Sequence, residues 1–158
     1  MSIIWQEALR VTIPGQPVAK GRPRFYMRGK HPKVHTDAKT KAYEQKVAMV
    51  IGTSTALRGQ PRPLCGVRDP VRVDVRAVFQ RPASMMRKAD PDGLVPRAKR
   101  PDLDNILKSL LDGVQGAGGL IWKDDGQVQC IRAESWYAEK GEPPRVELVI
   151  YRAVDVQP

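Results

Sequence analysis

Residues 71 to 79, VRVDVRAVF, put Val71, Val73, Val75, Ala77 and Phe79 on one side and Arg72, Asp74 and Arg76 on the other. A period of two is that of a strand with one face buried. Residues 3 to 13, IIWQEALRVTI, tend to alternate in the same way and stop at Pro14-Gly15, which predicts a second strand. The period changes between residues 103 and 114: Leu103, Ile106, Leu107, Leu110, Leu111 and Val114 recur at helical spacing. A weaker stripe of Tyr43, Val47, Val50 and Ile51 predicts another helix within residues 37 to 57. IWKDDGQV reads as a strand, a tight turn at Asp124, Asp125 and Gly126, and the next strand. QVQCIRAESWYA and RVELVIY, separated by EKGEPP, predict two antiparallel strands at the C-terminal end. The order is strand, helix, strand, helix, strand, strand, which implies an α/β (α+β) domain with a mixed sheet and two main helices. Trp5, Trp122 and Trp136 fall in the predicted strands and are expected in the core.

The segments between these elements differ in kind. Residues 14 to 35, PGQPVAKGRPRFYMRGKHPKVH, hold no acid but carry Lys20, Arg22, Arg24, Arg28, Lys30 and Lys33, with Phe25 and Tyr26 among them. They read as a basic loop or ribbon. RGQPRPLCGVRDP, residues 58 to 70, reads as a linker. Residues 80 to 100, rich in proline and basic side chains, are expected to form a mobile loop.

Composition adds a partner. Lys and Arg number 27 against 17 Asp and Glu, a formal net charge of +10, which attracts polyanions, nucleic acid first. The 158 residues suit one domain, residues 1 to 158, able to bury roughly 70% of the surface its unfolded chain exposes. Cys65 and Cys130 stand in no metal or redox spacing and fit a reduced compartment. No apolar run reaches the ~18 residues of a membrane span, and the first ten residues carry Glu7 and no leader pattern. A soluble cytoplasmic protein with no membrane partner is expected. There is no phosphate loop of the P-loop type and no nucleophile elbow to suggest a small-molecule substrate. His31 and His35 share a four-residue spacing, but Pro32 breaks the helix that would align them for zinc.

Against this basic background, residues 100 to 128 collect Asp102, Asp104, Asp112, Asp124 and Asp125. Each has an ordinary structural reading. Asp102 can cap the helix, Asp104 can complement the helix dipole, and Asp-Gly is a common turn. Lys108 can be a surface ion pair with Asp104 at i, i+4. The combination exceeds what caps and turns require, because carboxylates that repel one another are commonly held together by a cation. Asp102, Asp104 and Asp125 suit Mg²⁺, which takes carboxylate, water and phosphate oxygens and can activate water against a phosphodiester. Lys108 could add positive charge toward the transition state.

PDLDNILK followed by WKDDGQV resembles the signature of the RusA family of Holliday junction resolvases. KGRPRFY together with AYEQKV resembles the N-terminal half of its phage-type members, so the likeness runs from about residue 10 to 151. The resemblance implies a homodimer, bacterial or phage-encoded, that binds four-way DNA junctions and cuts opposed strands symmetrically with Mg²⁺ or Mn²⁺. It implies Asp102, Asp104 and Asp125 as metal-binding catalytic acids and Lys108 as the catalytic lysine, with Asp124 the less certain of its pair. The basic segment, Lys20 to Lys33, would meet DNA phosphates, with Phe25 and Tyr26 available to an opened base. The long segment from Gln80 to Arg100 departs from the family pattern. Two other readings stay open: a nuclease for branched or flapped DNA in general, and a nonenzymatic basic DNA-binding module.

Overall fold

The computed structural model describes residues 2–157. Its main sheet holds five strands: β1 (Ser2–Pro14), β4 (Val71–Phe79), β5 (Val95–Pro96), β6 (Val128–Tyr137) and β7 (Arg145–Gln157), in the order β1-β7-β4-β6-β5. A separate two-stranded ribbon is made by β2 (Arg24–Arg28) and β3 (His31–His35). The helices are α1 (Ala38–Gly52) and α2 (Leu103–Gln115). This is the mixed α+β architecture that the periodicities imply.

β1 pairs antiparallel with β7 along nearly its whole length, and β7 pairs antiparallel with β4. β4 and β6 run parallel, from Val71 beside Val128 to Phe79 beside Tyr137. A parallel pair needs a crossover, and α2 supplies it. Leu110 and Val114 pack with Val71, Val73, Ile121 and Trp122, whereas Ile106 and Leu103 pack with Ala77, Phe79 and Tyr137. The helix therefore runs antiparallel to β6, its first turn over the C-terminal ends of the strands.

α1 lies beside α2 at close range. A Cβ at Gly113 would stand 2.6 Å from Val47 Cβ, so glycine at this point lets the two helices approach. Val47, Ile51 and Tyr43 fill the core beneath, with Leu9, Ile13, Leu148 and Ile150 from the sheet. The opposite face of the sheet is held by charge: Arg72 with Asp74, Arg76 with Glu134 and Glu147, and Arg145 with Glu139 and Glu147.

Three local expectations differ from what is observed. The residues immediately before Asp124, 120 to 123, form no strand. Trp122 is buried, but in an irregular segment, and Asp125–Gln127 is a single 3-10 turn. Trp5 and Trp136 lie in strands and are only half-buried. The 80 to 100 segment is tied down at several points. Arg81, 4% exposed, donates to the carbonyls of Ala138, Met85, Pro91 and Gly93. Lys140 donates to those of Arg87 and Asp90. Proline and charge remove regular structure from a segment; they do not prevent one buried guanidinium from gathering its carbonyls.

Candidate active site and DNA-facing surface

The chain enters α2 through Pro101 and Asp102. The Asp102 carbonyl accepts from Ile106 N at 3.2 Å, opening the helix, but its side chain makes no capping bond and is exposed. A carboxylate in the position of a cap thus remains available to something outside the protein. Asp104, two residues on, is 69% exposed and pairs with Lys108 at 3.9 Å. A pair so open to water adds little stability. Asp102, Asp104 and Lys108 stand together on the polar flank of the first turn and a half. A groove beside them is lined by Arg97, Lys99, Arg100 and the β6 residues Ala133 to Ser135. Arg97 floors it, stacked 3.7 Å from the Phe79 ring centroid.

The second acidic pair divides its labour. Asp124 accepts from Gly126 N at 2.6 Å while Gln127 reaches back to the backbone of Asp124, a reciprocal capping box. The Asp125 carboxylate is exposed and, among the described residues, meets no hydrogen-bond or ion-pair partner. Asp124 is spent on the turn and Asp125 is free.

Position separates Asp125 from Asp102 and Asp104. Gln115, the last residue of α2, accepts from Trp122 Nε1 at 2.8 Å and donates to the Lys123 carbonyl at 3.2 Å. Asp125 follows two residues later, so it sits by the C-terminal end of a helix roughly 20 Å long whose other end holds Asp102. Helix and turn do not meet at their acidic ends within one chain. Among the described residues, no three His, Cys, Asp or Glu side chains gather to hold a metal.

Of the basic residues expected to face DNA, Lys20 is used inside the protein. Its ammonium bonds Glu44 on α1 and, at 2.8 Å, Asp112 on α2. Burial opposes the charge, but these two bonds outweigh it and raise the pKa above the ordinary lysine value. Arg22, Arg24, Arg28, Lys30 and Lys33 are all exposed on or beside the β2–β3 ribbon. His31 and His35 sit on β3 opposite Arg28 and Arg24, in no metal-binding arrangement.

The same residues meet a family model described as Endodeoxyribonuclease RusA, which matches residues 14–151. The chain belongs to the RusA endodeoxyribonuclease family. It is also 32% identical over 149 residues to the uncharacterized protein YqaN of Bacillus subtilis (strain 168), across 91% of this chain and 96% of that protein. RusA membership implies a Holliday junction endodeoxyribonuclease, and the matched span takes in the ribbon, both helices and both acidic pairs. The Gln80 to Arg100 segment leads from β4 to Asp102 at the start of α2, and Arg81, which gathers its carbonyls, has no counterpart among the residues that the periodicities single out. A lone arginine between a strand and a proline carries no periodic signal. No helix among the described residues is long and apolar enough to cross a membrane.

Proposed function

We propose that this RusA-family chain resolves four-way DNA junctions as a homodimer, by metal-dependent hydrolysis of one phosphodiester on each of two opposed strands. The observation that carries the reading is the exposure of Asp102 and Asp104: two carboxylates in one helical turn, Asp102 at a cap position and making no cap, Asp104 held by a water-exposed pair with Lys108. This donor set suits a hard divalent cation, Mg²⁺ or Mn²⁺, which commonly takes one or two carboxylates and completes its shell with water and phosphate oxygens. When bound, such an ion polarises the scissile phosphate and lowers the pKa of the attacking water. Asp102 and Asp104 hold the ion in this scheme. Lys108, one turn further, offers its ammonium to the charge that builds on the phosphate oxygens.

Asp125 enters through the second copy. β5 pairs with β6 only at Trp136 and Tyr137, so among the described residues no strand lies beside the outer edge of β6 from Val128 to Glu134. Ile131 is 43% exposed on that stretch. An open edge with an apolar residue is suited to pairing with another chain. Two β6 strands paired antiparallel about a two-fold axis bring the start of one to the end of the other. That arrangement carries Asp125 of the partner subunit toward Asp102 and supplies two equivalent sites, as symmetric cutting requires.

The test is a labelled four-way junction, bound in EDTA and then given Mg²⁺ or Mn²⁺. Metal-dependent paired nicks across the junction are expected. Cutting of flaps and junctions alike would reduce the reading to a general branched-DNA nuclease, and binding without scission would reduce it to a DNA-binding module.

A further inference from the structure

The β2–β3 ribbon stands apart from the main sheet, and its two faces differ in chemistry. Cross-strand partners share a face, as do alternate residues of one strand. Phe25 lies opposite Val34 and Met27 opposite Pro32, so these four make one side. Arg24 opposite His35, Tyr26 opposite Lys33 and Arg28 opposite His31 make the other. The apolar side is bare: Phe25 is 76% exposed, Met27 65% and Val34 60%. The tip is a two-residue turn with Gly29 at φ 63° and Lys30 beside it.

The base of the ribbon is held firmly and close to Asp104. Lys20 N donates to the Asn105 carbonyl at 2.8 Å, and Gly21 N to Thr40 Oγ1 at 2.9 Å. Ser109 Oγ donates to the Val18 carbonyl. The stalk is therefore clamped between α1 and the first turns of α2, and the ribbon extends from a point one residue from a candidate catalytic acid.

An exposed apolar face in an acid-free segment calls for an occupant that is both anionic and able to stack. A second copy of a chain with net charge +10 would bring like charge to the ribbon. DNA brings phosphates to the cationic side and, where its bases are unpaired, flat apolar surfaces to the other. We propose that the ribbon reads the branch point: Phe25, Met27 and Val34 cover bases unstacked at the crossover, while Arg24, Arg28 and Lys33 hold the flanking phosphates. This rests on the junction-resolving reading and adds to it the element that separates branched from linear DNA. Continuous duplex offers no exposed base face, so only the cationic side engages it.

The experiment uses the full chain in EDTA, with a four-way junction and a linear duplex of equal length, both carrying 2-aminopurine at the position of the crossover. The parent should bind the junction preferentially and change its 2-aminopurine fluorescence. F25S/M27S, altered at exposed positions only, should lose about tenfold at the junction, keep duplex affinity and lose the fluorescence change. R24A/R28A/K33A should weaken both substrates and flatten the salt dependence. Equal losses on both substrates, or an unchanged junction preference for F25S/M27S, overturn the proposal. So does a change in molar mass by light scattering on making F25S/M27S, since the face would then join copies of the chain. A parent without junction preference refutes the junction reading itself, a result distinct from a parent that prefers junctions and keeps that preference in F25S/M27S.

Discussion

Lys20 Nζ lies 2.8 Å from Asp112 Oδ2 and binds Glu44 as well, so one ammonium joins the base of the basic ribbon to both helices. Ninety-two positions separate Lys20 from Asp112, and nothing local to either anticipates the contact. K20M leaves two carboxylates facing each other at the α1–α2 seam and should cost about 1 kcal/mol of stability. Its binding should keep the parent's slope of log affinity against log salt, whereas alanine at Arg22, Arg24 or Arg28 should flatten it. The pKa of Lys20 is raised on folding, so the clamp contributes fully below the unfolded value and is lost as pH rises through the folded one. Urea titrations above pH 10.5 should accordingly show the advantage of the parent over K20M shrinking.

D102N, D104N and D125N should each lose most or all cleavage while junction binding in EDTA survives, because asparagine keeps shape and is a poor ligand for a hard cation. Mixing D102N with D125N provides the sharper measurement. If each site draws its acids from two chains, heterodimers regain one intact site and nick one strand. If both acids act within one chain, mixing restores nothing. D124N should cut nearly as the parent does, since asparagine caps about as well as aspartate.

G113A pits helix propensity, a gain of about 1 kcal/mol, against a Cβ 2.6 Å from Val47 Cβ and 3.1 Å from the Glu44 carbonyl oxygen. The clash should win, with a net loss of about 1–3 kcal/mol in urea unfolding. G113A at parental stability would show that α1 can retreat at no cost.

R81M strips four carbonyls of their shared donor and should expose residues 82 to 93 to limited proteolysis while the rest of the chain resists. Cleavage should fall with it, because this segment delivers Asp102. Lysine should rescue poorly: a point charge cannot match a planar fork that serves several carbonyls at once.

The Tyr43 hydroxyl is buried and, among the described residues, has no hydrogen-bond partner, and burial pushes its pKa up. Y43F removes an unpaired polar group and leaves the ring in place, so stability should hold or rise by about 1 kcal/mol. A loss on thermal melting would mean that the hydroxyl is satisfied in solution.

The elements of this protein are legible in its sequence because faces are local. β4 coincides with its period-two run at residues 71 to 79, and α2 with its apolar stripe, since alternate residues on a strand and every third or fourth on a helix share a side whatever they pack against. The placing of Asp102 at the start of α2 and of Asp104 one turn before Lys108 is legible for the same reason. Tertiary structure alone decided the rest: that Asp125 sits a helix length from Asp102, that Lys20 faces inward, and that Arg81 gathers the carbonyls of Met85, Pro91, Gly93 and Ala138. Each of these depends on which groups meet after the strands have paired and the helices have packed. Such meetings join residues tens of positions apart, and periodicity, which describes neighbours along the chain, carries no record of them.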